Sequence, residues 1–175
     1  IEYNEAELLE KSMEGPKIII GWQEWVGLPE LEIPALQVKI DTGAKSSSIH
    51  AFNIKYFQKN SQDFVRFDLH PLKHSKEVIK TYECPLIDMR VIKSSSGDTE
   101  ERPFIKTPIK IGGYEWEIEL NLTNRDYMGF RMLLGREAMA KNVMVRPGVS
   151  YICLLYTSDA ADDSLRVDLG GRRII

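Results

Sequence analysis

Short apolar and alternating runs recur along the chain and predict β-strands rather than helices. Such runs are rich in β-branched residues and are bounded by glycine, proline or polar clusters, as strands are. They fall at residues 17–21, 35–40, 48–52, 63–69, 132–134, 143–145 and 149–151. Residues 135–141 consist mainly of helix formers and are the one helix predicted for the core. The pattern therefore predicts a mostly β fold, a small barrel that is closed or partly open, with one short C-terminal helix.

Turn residues predict two hairpins and one further turn. Residues 80–93 and 101–111 flank a polar stretch, which predicts a long hairpin with its tip there. The tip consists of Ser94, Ser95, Ser96, Gly97 and Asp98. The pair Gly112-Gly113 predicts a tight hairpin between strands at residues 108–111 and 116–122. Residues 27–30 predict a turn.

The 175 residues suit one domain, which we predict at residues 17–151. Residues 1–16 form an N-terminal lead-in, in which residues 5–13 are a short helix or a frayed segment. From residue 152 the character of the chain changes, and residues 152–175 resemble translated sequencing-adapter read-through. We therefore predict a non-native tail there, the alternative being a natural acidic tail.

Composition and charge narrow the classes of protein. With 43% hydrophobic and 28% charged residues, the chain is typical of soluble globular proteins. A net charge of -3 gives no reason to expect nucleic acid or an anionic membrane as a partner. No apolar run is long enough to span a bilayer, and the first residues carry no signal-peptide pattern. We expect a cytoplasmic protein, although the chain does not begin with Met and a lost signal peptide remains open.

The candidate chemistry lies at Asp41, which follows an alternating strand and begins the run Asp41-Thr42-Gly43-Ala44. Peptide hydrolysis needs a base to activate water and an acid to protonate the departing nitrogen. Two carboxylates that share one proton can supply both, because close like charges cannot both ionise. An ordinary turn between strands is the alternative interpretation. The late run Leu133-Leu134-Gly135-Arg136 favours the catalytic one.

Residues 39–44 together with residues 132–136 resemble the retropepsin fold, in which a late Leu-Gly-Arg helix start braces the catalytic loop. More narrowly, the chain resembles the bacterial RimB-type family of retropepsin-like aspartic peptidases, long labelled ATP-dependent zinc proteases. The matching stretches are residues 21–31, 39–51 and 121–136.

The resemblance implies a role for each matching residue. Asp41 would be the catalytic aspartate, and Thr42, Gly43 and Ala44 would complete its loop. Leu134, Gly135 and Arg136 would support that loop from below. The hairpin tip, Ser94, Ser95, Ser96, Gly97 and Asp98, would be a flap that closes over substrate. Because the chain carries one Asp-Thr-Gly, the resemblance implies a homodimer that joins two copies of Asp41, and a tail after Tyr151 could obstruct it.

The zinc and ATP in the older family label have no support in the sequence. No His-Glu-x-x-His or Walker-type phosphate loop occurs, so we expect neither a metal nor another cofactor. The three histidines, His50, His70 and His74, are interpreted as surface or structural residues rather than ligands. The label is also consistent with a functional link to an ATP-grasp glutamate ligase.

Arg125 and Arg131 lie within the strongest family match and have two interpretations. They could receive the carboxylates of an acidic substrate, or they could pin the loop before residues 132–134 through an Arg–Asp bridge. The function predicted is an aspartic endopeptidase acting on a peptide or protein. The alternatives are a non-catalytic binding module on the same fold and a zinc-dependent peptidase.

Overall fold

The computed structural model describes residues 4, 6, 18–71, 76–124, 129–139 and 143–153. Strands dominate this part of the chain, which confirms the predicted mostly β fold. They are β1 (Ile18–Ile20), β2 (Gln23–Leu28), β3 (Ile33–Asp41), β4 (Ser47–His50), β5 (Phe52–Lys59), β6 (Gln62–Leu69), β7 (Lys80–Pro85), β8 (Asp88–Lys93), β9 (Thr99–Ile111), β10 (Tyr114–Thr123), β11 (Met132–Gly135) and β12 (Val143–Val145). The short helix α1 (Arg136–Met139) follows β11, as predicted.

Six strands form a ring of paired neighbours in the order β10, β4, β11, β3, β2 and β9, and the pairing of β9 with β10 joins its ends. Strand β8 extends this sheet beyond β9. A three-stranded antiparallel sheet consists of β5, β6 and β7, and β1 pairs in parallel with β12. The ring is consistent with the small barrel predicted, because joining both ends removes exposed sheet edges.

The core lies inside this ring and follows from strand alternation. In β3, Val38 and Ile40 face the core, whereas Lys39 and Asp41 on the opposite face stay partly exposed. Leu134, in the neighbouring strand β11, is fully buried. Each such side chain stabilises the fold by about 1.5–3 kcal/mol. The apolar face of β3 therefore anchors the strand that ends at Asp41.

Both predicted hairpins form, with one correction. Strands β9 and β10 pair across Gly112-Gly113, and β8 and β9 pair with residues 94–98 at the tip. The predicted arm at residues 80–93 is wrong as a single strand, because it divides at Leu86 and Ile87 into β7 and β8, which belong to different sheets. The Leu86 N–H donates to the carbonyl of Asp63 and the Ile87 N–H to that of Phe104, so the chain changes partners there.

Other local expectations need correction. Residues 149–151 are not a strand, because the Tyr151 backbone is left-handed, with φ at 55°. Strands β2 and β5 were not anticipated, and the predicted turn at residues 27–30 is a 3-10 turn, Pro29–Leu31, after β2 has ended. The lead-in helix at residues 5–13 lies outside the described residues except for residue 6. Beyond residues 152 and 153, the predicted tail also lies outside them.

Candidate active site

Asp41 ends β3 on a tight turn that fixes its carboxylate. Its Oδ1 accepts the Gly43 N–H at 2.9 Å and the Ala44 N–H at 3.2 Å. The Ala44 N–H also lies 3.3 Å from the carbonyl of Asp41, which closes the turn. Asp41 is half-buried, while Thr42 and Gly43 are exposed. The loop therefore presents an oriented carboxylate at a surface that a substrate or a second chain can reach.

Strand β11 and α1 support this turn from below. Gly135 lies opposite Asp41 in the parallel pairing of β11 with β3, and Leu134 lies opposite Ile40. The Arg136 N–H donates to the carbonyl of Ala44 at 2.8 Å, and the Arg136 side chain donates to the carbonyl of Gly43 at 3.1 Å. The structure thus brings together the predicted loop and the predicted support. The catalytic role of Asp41 stays a prediction.

The serines after the loop hold it to the sheet. The Ser47 Oγ accepts the Gly135 N–H at 2.9 Å, and Ser47 is buried. The Ser46 Oγ accepts from the side-chain amide of Asn121 at 3.2 Å. A cavity of about 320 Å³ opens beside Ser46 and Ser47. Sequence reasoning missed Asn121, since a polar residue inside a strand gives no signal of the partner it will meet.

The remaining predicted site residues make other contacts or lie outside the described chain. The 94–98 tip is ordered by its own backbone, with the Ser94 N–H donating to the carbonyl of Asp98 at 2.8 Å, and its role as a flap stays a prediction. The Arg131 side chain donates to the carbonyl of His70 at 2.8 Å, a contact that favours a structural role. Arg125 and His74 lie outside the described residues.

Where the structure describes them, the residues considered for zinc form no ligand cluster. His50 and His70 stack near Phe52, with 4.7 Å between the Phe52 and His70 ring centroids. Burial raises the pKa of the Cys84 thiol to about 11. In the part of the chain that the structure describes, no three His, Cys, Asp or Glu side chains are arranged to hold a metal ion.

A buried carboxylate ties the end of the domain to its beginning. Glu24 is fully buried, and it accepts the Gly21 N–H at 2.6 Å and the N–H groups of Ile152 and Cys153 at 3.0 Å each. Desolvation by burial raises the pKa of Glu24, while these backbone hydrogen bonds lower it by a smaller amount. Residues 152 and 153 thus pack onto the domain, although we predicted that the tail begins there.

The raised pKa of Glu24 predicts a pH dependence of stability. A carboxyl group whose pKa is raised by folding stabilises the fold most below its ordinary pKa of 4.5, and this contribution is lost as the pH rises through the raised value. The glutamine of the variant Glu24→Gln does not titrate. We therefore compare the free energies of unfolding of the unsubstituted chain and the variant, and expect the advantage of the unsubstituted chain to be largest near pH 4. Urea unfolding across the pH range measures this difference. A difference that grows as the pH rises would contradict the assignment.

Comparison with protein families matches residues 19–154 to the RimB-like family, described as the retropepsin-like aspartic endopeptidase RimB. The match covers the Asp41 turn, the hairpin and the β11 support. The chain belongs to this RimB-like family of retropepsin-like proteins. The family predicted from residues 21–31, 39–51 and 121–136 is therefore confirmed.

The chain resembles segments of longer proteins. A protein of Shewanella halifaxensis named "Probable alpha-L-glutamate ligase" is 46% identical over 153 residues, which are 87% of this chain and 33% of the relative. A protein of the same name from Desulfotalea psychrophila is 50% identical over 133 residues, 76% of this chain and 29% of that relative. The chain thus spans about a third of the length of these relatives.

A solved structure that is similar to the chain is that of a Legionella pneumophila protein of unknown function. It is 30% identical, with a TM-score of 0.63 over 77% of this chain and 96% of that one. No helix in the described part of the chain is long and apolar enough to cross a membrane.

Proposed function

We propose that the chain is one half of an aspartic endopeptidase whose active site forms when two copies bring their Asp41 side chains together. The observation that carries this proposal is the Asp41 turn, in which two backbone N–H groups orient a half-buried carboxylate. Membership of the RimB-like family supports it. The sequence contains one Asp-Thr-Gly, and we propose that the second carboxylate comes from a second copy of the chain.

Two carboxylates at hydrogen-bond distance hold one proton between them and divide the chemistry. The ionised Asp41 takes a proton from water as the water oxygen attacks the carbonyl carbon of the peptide bond. The protonated Asp41 then donates its proton to the nitrogen as the carbon–nitrogen bond breaks. Neither carboxylate can do both at once, which is why the dimer is part of this mechanism.

The outer face of the β1–β12 pair is the dimer surface that we propose. Ile19 and Met144 lie opposite each other in the pairing and are 48% and 52% exposed. Trp22, two residues after the end of β1, is also exposed. Apolar side chains gathered on a short sheet form a patch of the kind that protein interfaces cover. A second copy would cover the patch about a two-fold axis.

We also propose that the substrate is a glutamate-rich peptide or protein. The support is that relatives containing a similar segment carry the name alpha-L-glutamate ligase, so a functional link to such a ligase is part of the same proposal. Contact with substrate carboxylates is one of the two interpretations of Arg125 and Arg131. The hydrogen bond from Arg131 to the carbonyl of His70 favours the structural one for Arg131, so this proposal does not depend on these arginines.

Ile19→Glu tests the dimer and the activity together. The substitution places two carboxylates near a two-fold interface, where like charges cost several kcal/mol, so we expect dimer affinity to fall at least about a hundredfold. Cleavage per chain should fall with it. Sedimentation velocity and cleavage of a glutamate-rich peptide, measured over the same dilution series, give both quantities. The peptide in which glutamine replaces glutamate shows whether carboxylates are recognised.

Val78→Glu is the matched control, because Val78 is 40% exposed and lies in the segment before β7 rather than on the β1–β12 pair. It should leave both sedimentation and cleavage unchanged. Cleavage per chain that stays constant through the monomer–dimer transition would rule out the shared site. Equal cleavage of the two peptides would rule out the substrate class while leaving the shared site standing.

A further inference from the structure

A buried arginine connects the hairpin strands to the segment behind the Asp41 turn. The Arg102 side chain on β9 is only 5% exposed. Its Nε donates to the Glu100 carboxylate at 2.9 Å, and its Nη1 donates to the Ser48 Oγ at 3.2 Å and to the Asn121 Oδ1 at 3.1 Å. Burying a charged group costs several kcal/mol unless it is well paired, so these partners are needed where they are.

The contacts continue from Arg102 to the active-site loop. Asn121 is fully buried, and its side-chain amide donates to the Ser46 Oγ. Ser47, between the two serines, accepts the N–H of Gly135, the residue opposite Asp41. The serine segment at residues 46–48 is therefore held from one side by Arg102 and Asn121 and from the other by the strand that braces Asp41.

On the hairpin side, Arg102 lies in the middle of the β8–β9 ladder. Arg102 lies opposite Arg90 in the strand register, and the 94–98 tip lies further along the two strands. The Arg90 side chain donates to Glu119 on β10 at 2.6 Å. The Thr123 hydroxyl donates to Glu100, which fixes the carboxylate that pairs with Arg102. The β8–β9 hairpin is thus bonded to β10, and β10 is bonded to the serine segment.

We propose that Arg102 is a positioning residue that fixes the 94–98 hairpin relative to the Asp41 turn, so that a flap and a catalytic carboxylate keep one spacing across the substrate. Its planar guanidinium can donate in several fixed directions at once, which a lysine ammonium cannot match. The role of the hairpin as a flap rests on the proposed function, whereas the mechanical coupling does not. Arg102 itself need not touch the substrate.

Arg102→Lys keeps the charge and removes the fixed directions. We expect KM to rise about tenfold while kcat changes less than about threefold, because the Asp41 turn keeps its own support from Gly135 and Arg136. We also expect amide hydrogen exchange to become at least about tenfold faster in two separated segments, residues 94–98 and 44–48. Ser48→Ala, which removes a single contact, should move the same measurements in the same direction by a smaller factor. It also supplies the answer if Arg102→Lys does not fold.

Arg66→Lys is the matched control, because Arg66 forms an exposed pair with Glu83 in the three-stranded sheet. It should change neither the kinetic constants nor exchange at the two segments. Unchanged exchange at residues 44–48 in both Arg102→Lys and Ser48→Ala would overturn the coupling. If the unsubstituted chain cleaves no peptide, the proposed function fails, but the exchange measurement still decides the coupling.

Discussion

Asp41→Asn is expected to abolish peptide cleavage while leaving the fold and the dimer in place. The asparagine Oδ1 can still accept the Gly43 and Ala44 N–H groups, so the turn should keep its shape. What is lost is a group that can take and return a proton. We expect at least about a thousandfold loss of kcat, because the paired carboxylates act as one unit in general acid and base catalysis. Peptide cleavage together with sedimentation measures both expectations.

Mixing the two chains tests whether the site is shared. If each site needs Asp41 from both subunits, equal amounts of unsubstituted and Asp41→Asn chains that exchange freely leave about a quarter of the dimers active. If each subunit worked independently, about half of the activity would remain. The measured fraction therefore separates a site between subunits from a site within each one, and half would contradict our mechanism.

Substitution of Asp41, a control substitution and a chelator together separate the competing functions. Asp63→Asn is a matched control, because Asp63 lies in β6 and its carboxylate accepts a long hydrogen bond from Gln58, at 3.2 Å. It should leave cleavage intact.

A non-catalytic binding module would show no cleavage that Asp41 controls, while its dimer and partner binding persist. A zinc peptidase would be inhibited by a chelator and restored by zinc, whereas the aspartic mechanism predicts no effect of chelator.

The parts of the fold that were predictable from the sequence are those encoded locally. Gly112-Gly113 predicted a hairpin because a tight turn needs such residues wherever its strands lead. The strand at residues 132–134 was predicted from its continuous apolar run, which is what a buried strand requires. The pairing of this strand with β3, which brings Gly135 opposite Asp41, could not be read from periodicity. It was implied only by the family resemblance.

The misses are positions where distant contacts decide the structure. Strand β2 is buried along nearly its whole length, so Gln23–Leu28 shows no alternation, and Gly27 and Glu24 weaken its strand signal. Strand β5 is mostly exposed and begins beside Asn53, whose φ of 52° interrupts an ordinary strand pattern. Arg102 resembled any charged residue in an alternating strand. Its burial follows from partners on β4 and β10, which lie far away in sequence.

Gly135→Ala is expected to disrupt the support of the Asp41 turn by adding a single methyl group. A Cβ at this position would lie 2.4 Å from the Ser46 carbonyl oxygen and 3.0 Å from that of Ala44. These are backbone atoms of the active-site segment, held in turn by the Arg136 N–H and by Ser47, so they cannot rotate away as a side chain can. We expect a loss of about 3 kcal/mol or more in the free energy of unfolding, with cleavage lost because the turn is displaced.

Gly113→Ala shows whether the loss at Gly135 comes from this contact or from adding a methyl group to any glycine in a β structure. A Cβ at Gly113 would meet nothing within 4 Å, so the change should stay within about 0.5 kcal/mol. Urea unfolding of both variants and peptide cleavage give the comparison. Gly135→Ala with unfolding and cleavage close to those of Gly113→Ala would mean that the loop and β11 separate easily. Gly135 would then not be the residue that ties Asp41 to the core.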